Sequence, residues 1–256
     1  MARLSSILSP TQSRANTVAE LEIYWEGKRF ALQLRTSSRA RSILVSADTL
    51  KGIVRLTVPT YADKDQALRF AQSKSEWLAQ RFAEAVPPIA IVDGTQISVS
   101  GEPYQISWSE EFARKPALCE DEIRVGGPEQ RVEDRIIQWL RDRARFEFEN
   151  DLIFYCQKAR LEYPKLSIGD AKGRWGSCSG RKAIRLNWRL IMAPNMVRRS
   201  VVAHEVAHLK HLNHSKSFYE FLDALFEGDR RKADIWLKNH GRALHMIGAS
   251  QRLVES

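Results

Sequence analysis

Four of the chain's six histidines, His204, His208, His211 and His214, fall within eleven positions. The first two frame the stretch His204-Glu205-Val206-Ala207-His208, an H-E-x-x-H pattern. On an α-helix, residues four apart differ by about 40° in azimuth and about 6 Å in rise, so both imidazoles can reach one ion. Glu205, about 100° round from His204, stays clear of a coordination position but within reach of a metal-bound water. That is the arrangement of a catalytic zinc: three protein ligands, a water in the fourth place, and a carboxylate as general base. His214 is the expected third ligand, because it follows His208 by six residues, the offset at which metzincins place theirs after a glycine turn. His211 occupies that glycine position, so the pattern departs from the metzincin one; Asn213, in a left-handed conformation, could turn the chain instead. Glu220 and Glu227 stay open as carboxylate alternatives. His211 shares the face of His204 and His208 but lies a turn beyond, out of reach of the same ion on a straight helix.

Upstream residues supply further candidates. Arg174, Ser177 and Asn187 lie on a loop and strand that could line a cleft and contact substrate or an oxyanion, although polar residues there more often brace backbone. Cys178 lacks a cysteine-protease signature around it, which argues against a nucleophile. His240 and His245 could orient ligands from behind, with core or surface roles as plausible.

The metal pair needs a helix, and the surroundings provide one over about 195–212, with Asn195 as N-cap and Val197, Val201 and Val202 as its apolar side. Helices are also expected at about Ser215–Phe226 and Asp229–Met246. Ahead of them, Val132, Ile136, Leu140, Ala144, Phe148, Leu152 and Cys156 recur every four residues, the core stripe of a long helix. Strand-like pieces at Lys165–Ile168 and Ala183–Leu186 bracket a loop with Gly169, Gly173, Gly176 and Gly180. Towards the N-terminus, Leu21–Trp25, Phe30–Leu34, Ser42–Ser46 and Val54–Val58 read as antiparallel strands, Asp63–Val86 as one helix, and Gln96–Val99 with Tyr104–Trp108 as a hairpin. No internal repeat is evident. Gly126, Gly127 and Pro128 mark the expected boundary, giving a flexible tail over 1–20, a β-rich region over 21–127 and a catalytic domain over 128–256.

Composition sets the remaining bounds. The chain has near-average apolar and charged content and no run of about 20 apolar residues, so an ordinary core is expected and no membrane span. The first residues lack the apolar stretch of a secretory signal, since Leu4–Leu8 is broken by serines and followed by Pro10. Three widely spaced cysteines, Cys119, Cys156 and Cys178, suit neither a disulfide framework nor a cysteine zinc ribbon, which makes the cytoplasm the expected location. The net charge is +9, and residues 155–190 hold nine Lys and Arg against two acids. That segment is either a solvated basic face or a surface for an anionic or nucleic-acid partner.

Several stretches together resemble a known family. The run His204–His214 followed by Ser215, the segments Arg174-Trp175-Gly176-Ser177-Cys178-Ser179 and Leu186-Asn187-Trp188-Arg189-Leu190, Ala193-Pro194, and later Trp236-Leu237 and His240-Gly241 resemble the YgjP-like metallopeptidase family, relatives of the SprT-type zincins. The resemblance extends more weakly to strands within Arg39–Pro59. It implies a zincin-like catalytic half, peptidase activity on a peptide or protein substrate, and Zn2+ held by His204, His208 and His214. Together these readings give an α+β fold: an antiparallel β-rich N-terminal part with a helix, then a helical metallopeptidase domain with a small sheet. Two other functions compete, a metal-dependent hydrolase of nucleotides or phosphate esters and a nucleic-acid-associated protease of the SprT kind.

Overall fold

The computed structural model describes residues 19–49 and 51–249. The tail expected over 1–20 lies outside them, except that Ala19 and Glu20 open a strand. The fold is α+β: six α-helices and three sheets among the described residues. The chain divides into two compact units, Met1–Ala85 and Val86–Ser256. The division falls well before the boundary expected at Gly126–Pro128. Strands on both sides of those residues belong to the second unit, where Ile97, Ile106, Ile123 and Val125 share one core with the long helix.

In the first unit, β1 (Ala19–Trp25), β2 (Lys28–Ser37), β3 (Leu44–Asp48) and β4 (Ile53–Pro59) form one sheet in the order β1-β2-β4-β3. Strand β2 alternates cleanly, turning Phe30, Leu32 and Leu34 into the core. The expectation of an antiparallel sheet is only partly met. β1 pairs antiparallel to β2 and β3 to β4, but β4 inserts between β2 and β3 and therefore runs parallel to β2. The single helix expected over Asp63–Val86 is two, α1 (Lys64–Ser73) and α2 (Ser75–Ala83), because Lys74 leaves helical geometry at φ −102°, ψ 9°.

The second unit begins with the expected hairpin, β5 (Gln96–Val99) against β6 (Glu102–Trp108), extended by β7 (Ala117–Cys119) and β8 (Glu122–Val125) in the order β5-β6-β8-β7. The two four-stranded sheets thus share one topology, each with a single parallel pair in the middle. Helix α3 (Val132–Ala159) follows. The four-residue stripe read from the sequence is its buried face, so the packing is that of core. A third sheet, in the order β10-β11-β9, combines β9 (Lys165–Gly169), β10 (Gly176–Cys178) and β11 (Ala183–Asn187), with β9 parallel and β10 antiparallel to β11.

Then come α4 (Asn195–Ala207), α5 (Lys216–Leu225) and α6 (Arg230–Leu244). Asn195 is not the N-cap of α4. Pro194 takes that place, and Asn195, already helical, accepts from Arg198 Nη1 at 2.9 Å. Arg198 is buried and bonds Asp151 Oδ2 at 2.8 Å and Glu147 Oε2 at 3.1 Å, which bolts α4 to α3. A charge removed from water needs such close partners to be tolerated. The result is a rigid mount for the residues that follow on α4.

Candidate metal centre

Helix α4 is buried along Val197, Val202, Ala203, Val206 and Ala207, which leaves the edge carrying His204 and His208 turned outward. His204 lies inside the helix and His208 is its C-cap, still in helical conformation at φ −68°, ψ −17°. The helix therefore ends earlier than the expected 212, and the chain folds back through 209–214. Asn213 is not among the residues with positive φ, so the return needs no left-handed residue there. What holds the turn is main chain: the His208 Nδ1 lies 3.0 Å from the His211 carbonyl oxygen. A nitrogen facing a carbonyl must carry the proton, which leaves Nε2 of His208 with its lone pair free. His211 thus serves through its backbone, while its ring packs 5.5 Å from Phe221.

His214 arrives from the other side, immediately before Ser215, whose Oγ caps α5 by accepting from Phe218 N. Phe218 is fully buried and touches all three imidazoles, at ring separations of 5.0, 4.6 and 4.8 Å. It forms an apolar floor that no pattern in the sequence singled out. Its position three residues after a serine cap was the available signal.

One candidate ligand atom from each of His204, His208 and His214 lies within 4.8 Å of the others, and Nε2 of His204 is 3.1 Å from Nε2 of His214. Two nitrogens each about 2.0–2.1 Å from a tetrahedral ion sit about 3.3 Å apart, so the spacing suits a shared cation. Burial, then the neighbouring His208 and His214, lower the His204 pKa to about 4, and burial lowers that of His208. Both rings are therefore neutral at physiological pH, the form that binds a metal. Glu220 pairs with Lys216, and Glu227 with Arg199 and the Tyr155 hydroxyl, so neither alternative carboxylate joins the cluster.

Glu205 is 5% exposed, and its Oε2 has no hydrogen-bond partner among the described residues. Burial raises its pKa to about 7, with Arg174 pulling the other way. An unsatisfied buried carboxylate is costly unless something is meant to meet it. Gly176, at the start of β10, is its nearest wall: a Cβ there would collide with Glu205 Oε1. Gly176 was expected in a loop. It belongs to a short strand, and glycine in a strand often marks such close approach.

Of the other candidates, Arg174 contributes charge near Glu205, and Ser177 lies on β10. Asn187 is structural: it donates from Nδ2 to the Ala171 carbonyl and accepts from Arg189 N. Burial, followed by Glu205, raises the Cys178 pKa, the opposite of what a thiolate nucleophile requires. His245 stacks on Trp175 at 4.8 Å and His240 packs on Trp236, so neither braces a ligand. Trp175 is pressed against Gly241 of α6, where any Cβ would come within 2.7 Å of the indole. Arg189 is completely buried. It bonds Asp170 at 2.9 Å and the carbonyls of Leu244 and Ile247 at 2.6 and 2.7 Å, tying the segment before β10 to the end of α6.

Three converging imidazoles on a helix and its return loop, the first of them followed in sequence by a buried carboxylate whose Oε2 has no partner among the described residues, make a group that could hold one metal ion. The model of the YgjP-like metallopeptidase domain matches residues 41–240, and the chain belongs to that family. A metallopeptidase domain implies a metal ion, and the histidine cluster has the donor set to hold one. No curated protein and no solved structure matches the chain.

Proposed function

We propose that the protein is a zinc peptidase in which His204, His208 and His214 hold the ion and Glu205 is the general base. The observation that carries this reading is the pairing of three mutually close imidazoles with a buried carboxylate whose Oε2 lacks any partner. A three-nitrogen set suits zinc, and zinc held there would lower the pKa of a coordinated water towards about 7 and polarise a substrate carbonyl. Glu205 then takes the proton from the attacking water and passes it to the leaving amine, for which a pKa near neutrality is well matched. Among the described residues β10 pairs only with β11, and it begins at the glycine that touches Glu205. An extended peptide adding to that strand would carry its scissile bond past the carboxylate, which favours a peptide or protein substrate. The cysteines are free, as in a reducing compartment, and the cytoplasm is the proposed location. No helix among the described residues is long and apolar enough to cross a membrane.

The test is cleavage of casein and unstructured peptide libraries by the zinc-loaded protein beside Glu205→Gln. The variant should keep its zinc and lose about 10²–10⁴-fold in turnover. Phosphate release from nucleotides that depends on Glu205, without peptide cleavage, would transfer the same centre to phosphate-ester hydrolysis and end the peptidase reading.

A further inference from the structure

Away from the histidine cluster, the first half of α3 and the third sheet line a half-open cavity of about 380 Å³. None of His204, Glu205, His208 or His214 lines it. Three guanidinium groups do: Arg141 and Arg145, one helical turn apart on α3, and Arg185 from β11. Two carboxylates are also present, one bonded to a neutral amide and one paired with a buried cation. Asp142 accepts from Gln138 Nε2 at 2.8 Å, and Asp170 holds the buried Arg189 at 2.9 Å. Among the described residues neither Arg141 nor Arg185 has a carboxylate at ion-pair distance, and Arg145 reaches Glu149 only at 4.0 Å.

All three cations are exposed, but two of them are also held by their neighbours. Arg141 rests on the Trp188 ring at 5.6 Å, and Arg189 lies over the same ring at 4.4 Å. Trp188 is 1% exposed, and its indole N–H finds no acceptor among the described residues. Arg185 is laid along the backbone of Gly169, where a Cβ would collide with its Nε. Like charges collected round one concavity repel, and the repulsion registers on Arg189, whose pKa is lowered to about 9 by burial and then by Arg141. A counter-ion in the cavity would relieve it.

We propose that this cavity is a binding site for a multivalent oxyanion of the phosphate or pyrophosphate kind, held by Arg141, Arg145 and Arg185. The planar guanidinium fork matches phosphate oxygens in pairs, and several guanidiniums together suit an anion of more than one charge. With Asp170 offset by Arg189 and Asp142 keeping its charge, the three guanidiniums leave a surplus of two, which a dianion balances and a monovalent carboxylate does not. The volume of the cavity fits a small anion or a terminal phosphoryl group, not a nucleic-acid duplex.

The experiment is titration calorimetry of the full-length, zinc-loaded protein with inorganic pyrophosphate, phosphate and sulfate at about physiological ionic strength. Arg141→Gln and Arg185→Gln should each weaken pyrophosphate binding by about tenfold or more, since one charge-assisted hydrogen bond is worth that much. Gly169→Ala should weaken it too, because it displaces Arg185 while leaving the net charge unchanged. The exposed α6 variant Arg231→Gln should bind as the parent does. The double variant His204→Ala/His208→Ala should retain binding, which separates this cavity from the metal centre. No pyrophosphate binding by the parent at millimolar concentration would overturn the proposal. So would an equal loss in Arg231→Gln, a loss confined to the histidine variant, or binding only of a single-stranded oligonucleotide indifferent to Arg185→Gln.

Discussion

The contact between Gly176 and Glu205 offers the sharpest test of the site. Gly176 does not have positive φ, so its backbone accepts alanine and the only penalty is space. The added Cβ would meet Glu205 Oε1 and lie 2.7 Å from its Cγ and 2.8 Å from its Cδ, where ordinary contact begins at 3.4 Å. The carboxylate, whose Oε1 is the nearest of the three atoms, must therefore retreat by about 1 Å or change rotamer, and misplacement on that order costs about 100-fold in rate. The barrier should rise by about 2.7 kcal/mol. Gly176→Ala is expected to lower kcat/KM for a cleavable peptide by about that factor while keeping its zinc, because no ligand is touched. Gly173→Ala, whose Cβ would meet nothing within 4 Å, serves as the control and should behave as the parent. Full turnover in Gly176→Ala, with an unchanged melting temperature, would refute Glu205 as a base fixed by this wall. Loss of zinc in the same variant would mean that the strand supports the ligands instead.

Other outcomes follow from the same structure. His204→Ala/His208→Ala should drop metal content from about one zinc per chain to nearly none by elemental analysis, and chelation of the parent should lower its Tm, since an ion present at about 1,000 times its Kd adds ~4 kcal/mol. Burial, aided by Arg189 and Lys172, lowers the His245 pKa from 6.5 to about 4. Between those values the unfolded chain binds a proton that the folded one refuses, so stability should fall as pH drops from about 6.5 towards 4, by about 1–3 kcal/mol. His245→Phe, which keeps a ring on Trp175, should flatten that slope in denaturant titrations at pH 7 and pH 5. Arg189→Met strands two buried carbonyls and removes the guanidinium 2.9 Å from Asp170, and should cost about 3–5 kcal/mol, seen as a Tm lower by ~10 °C.

Sequence patterns showed the metal helix clearly, because the spacing of His204 and His208 has physical meaning on any α-helix. The long stripe of α3 was equally plain, since a four-residue recurrence from Val132 to Cys156 can bury only one face. What escaped was set by tertiary neighbours. β10 has three residues, too few to show alternation, so the glycine that walls Glu205 read as loop. The parallel pairing of β2 with β4 depends on which strand slips between two others, which composition does not encode. The shared order of the two four-stranded sheets is likewise carried by unlike residues. The turn after His208 is held by the His211 carbonyl, a group that every residue possesses. The charge surplus of residues 155–190 was visible, but not that Arg185 would leave it to meet two arginines of α3.

The clamp built by Arg189 also bears on where this chain can be shortened. The family match ends at residue 240, yet the carbonyls that quench this guanidinium belong to Leu244 and Ile247. A protein trimmed to the match would strip this buried guanidinium of both carbonyls, leaving it Asp170, and strip Trp175 of its partner His245, one residue from the glycine behind Glu205. The end of α6 and the residues just after it thus brace the segment that leads into β10.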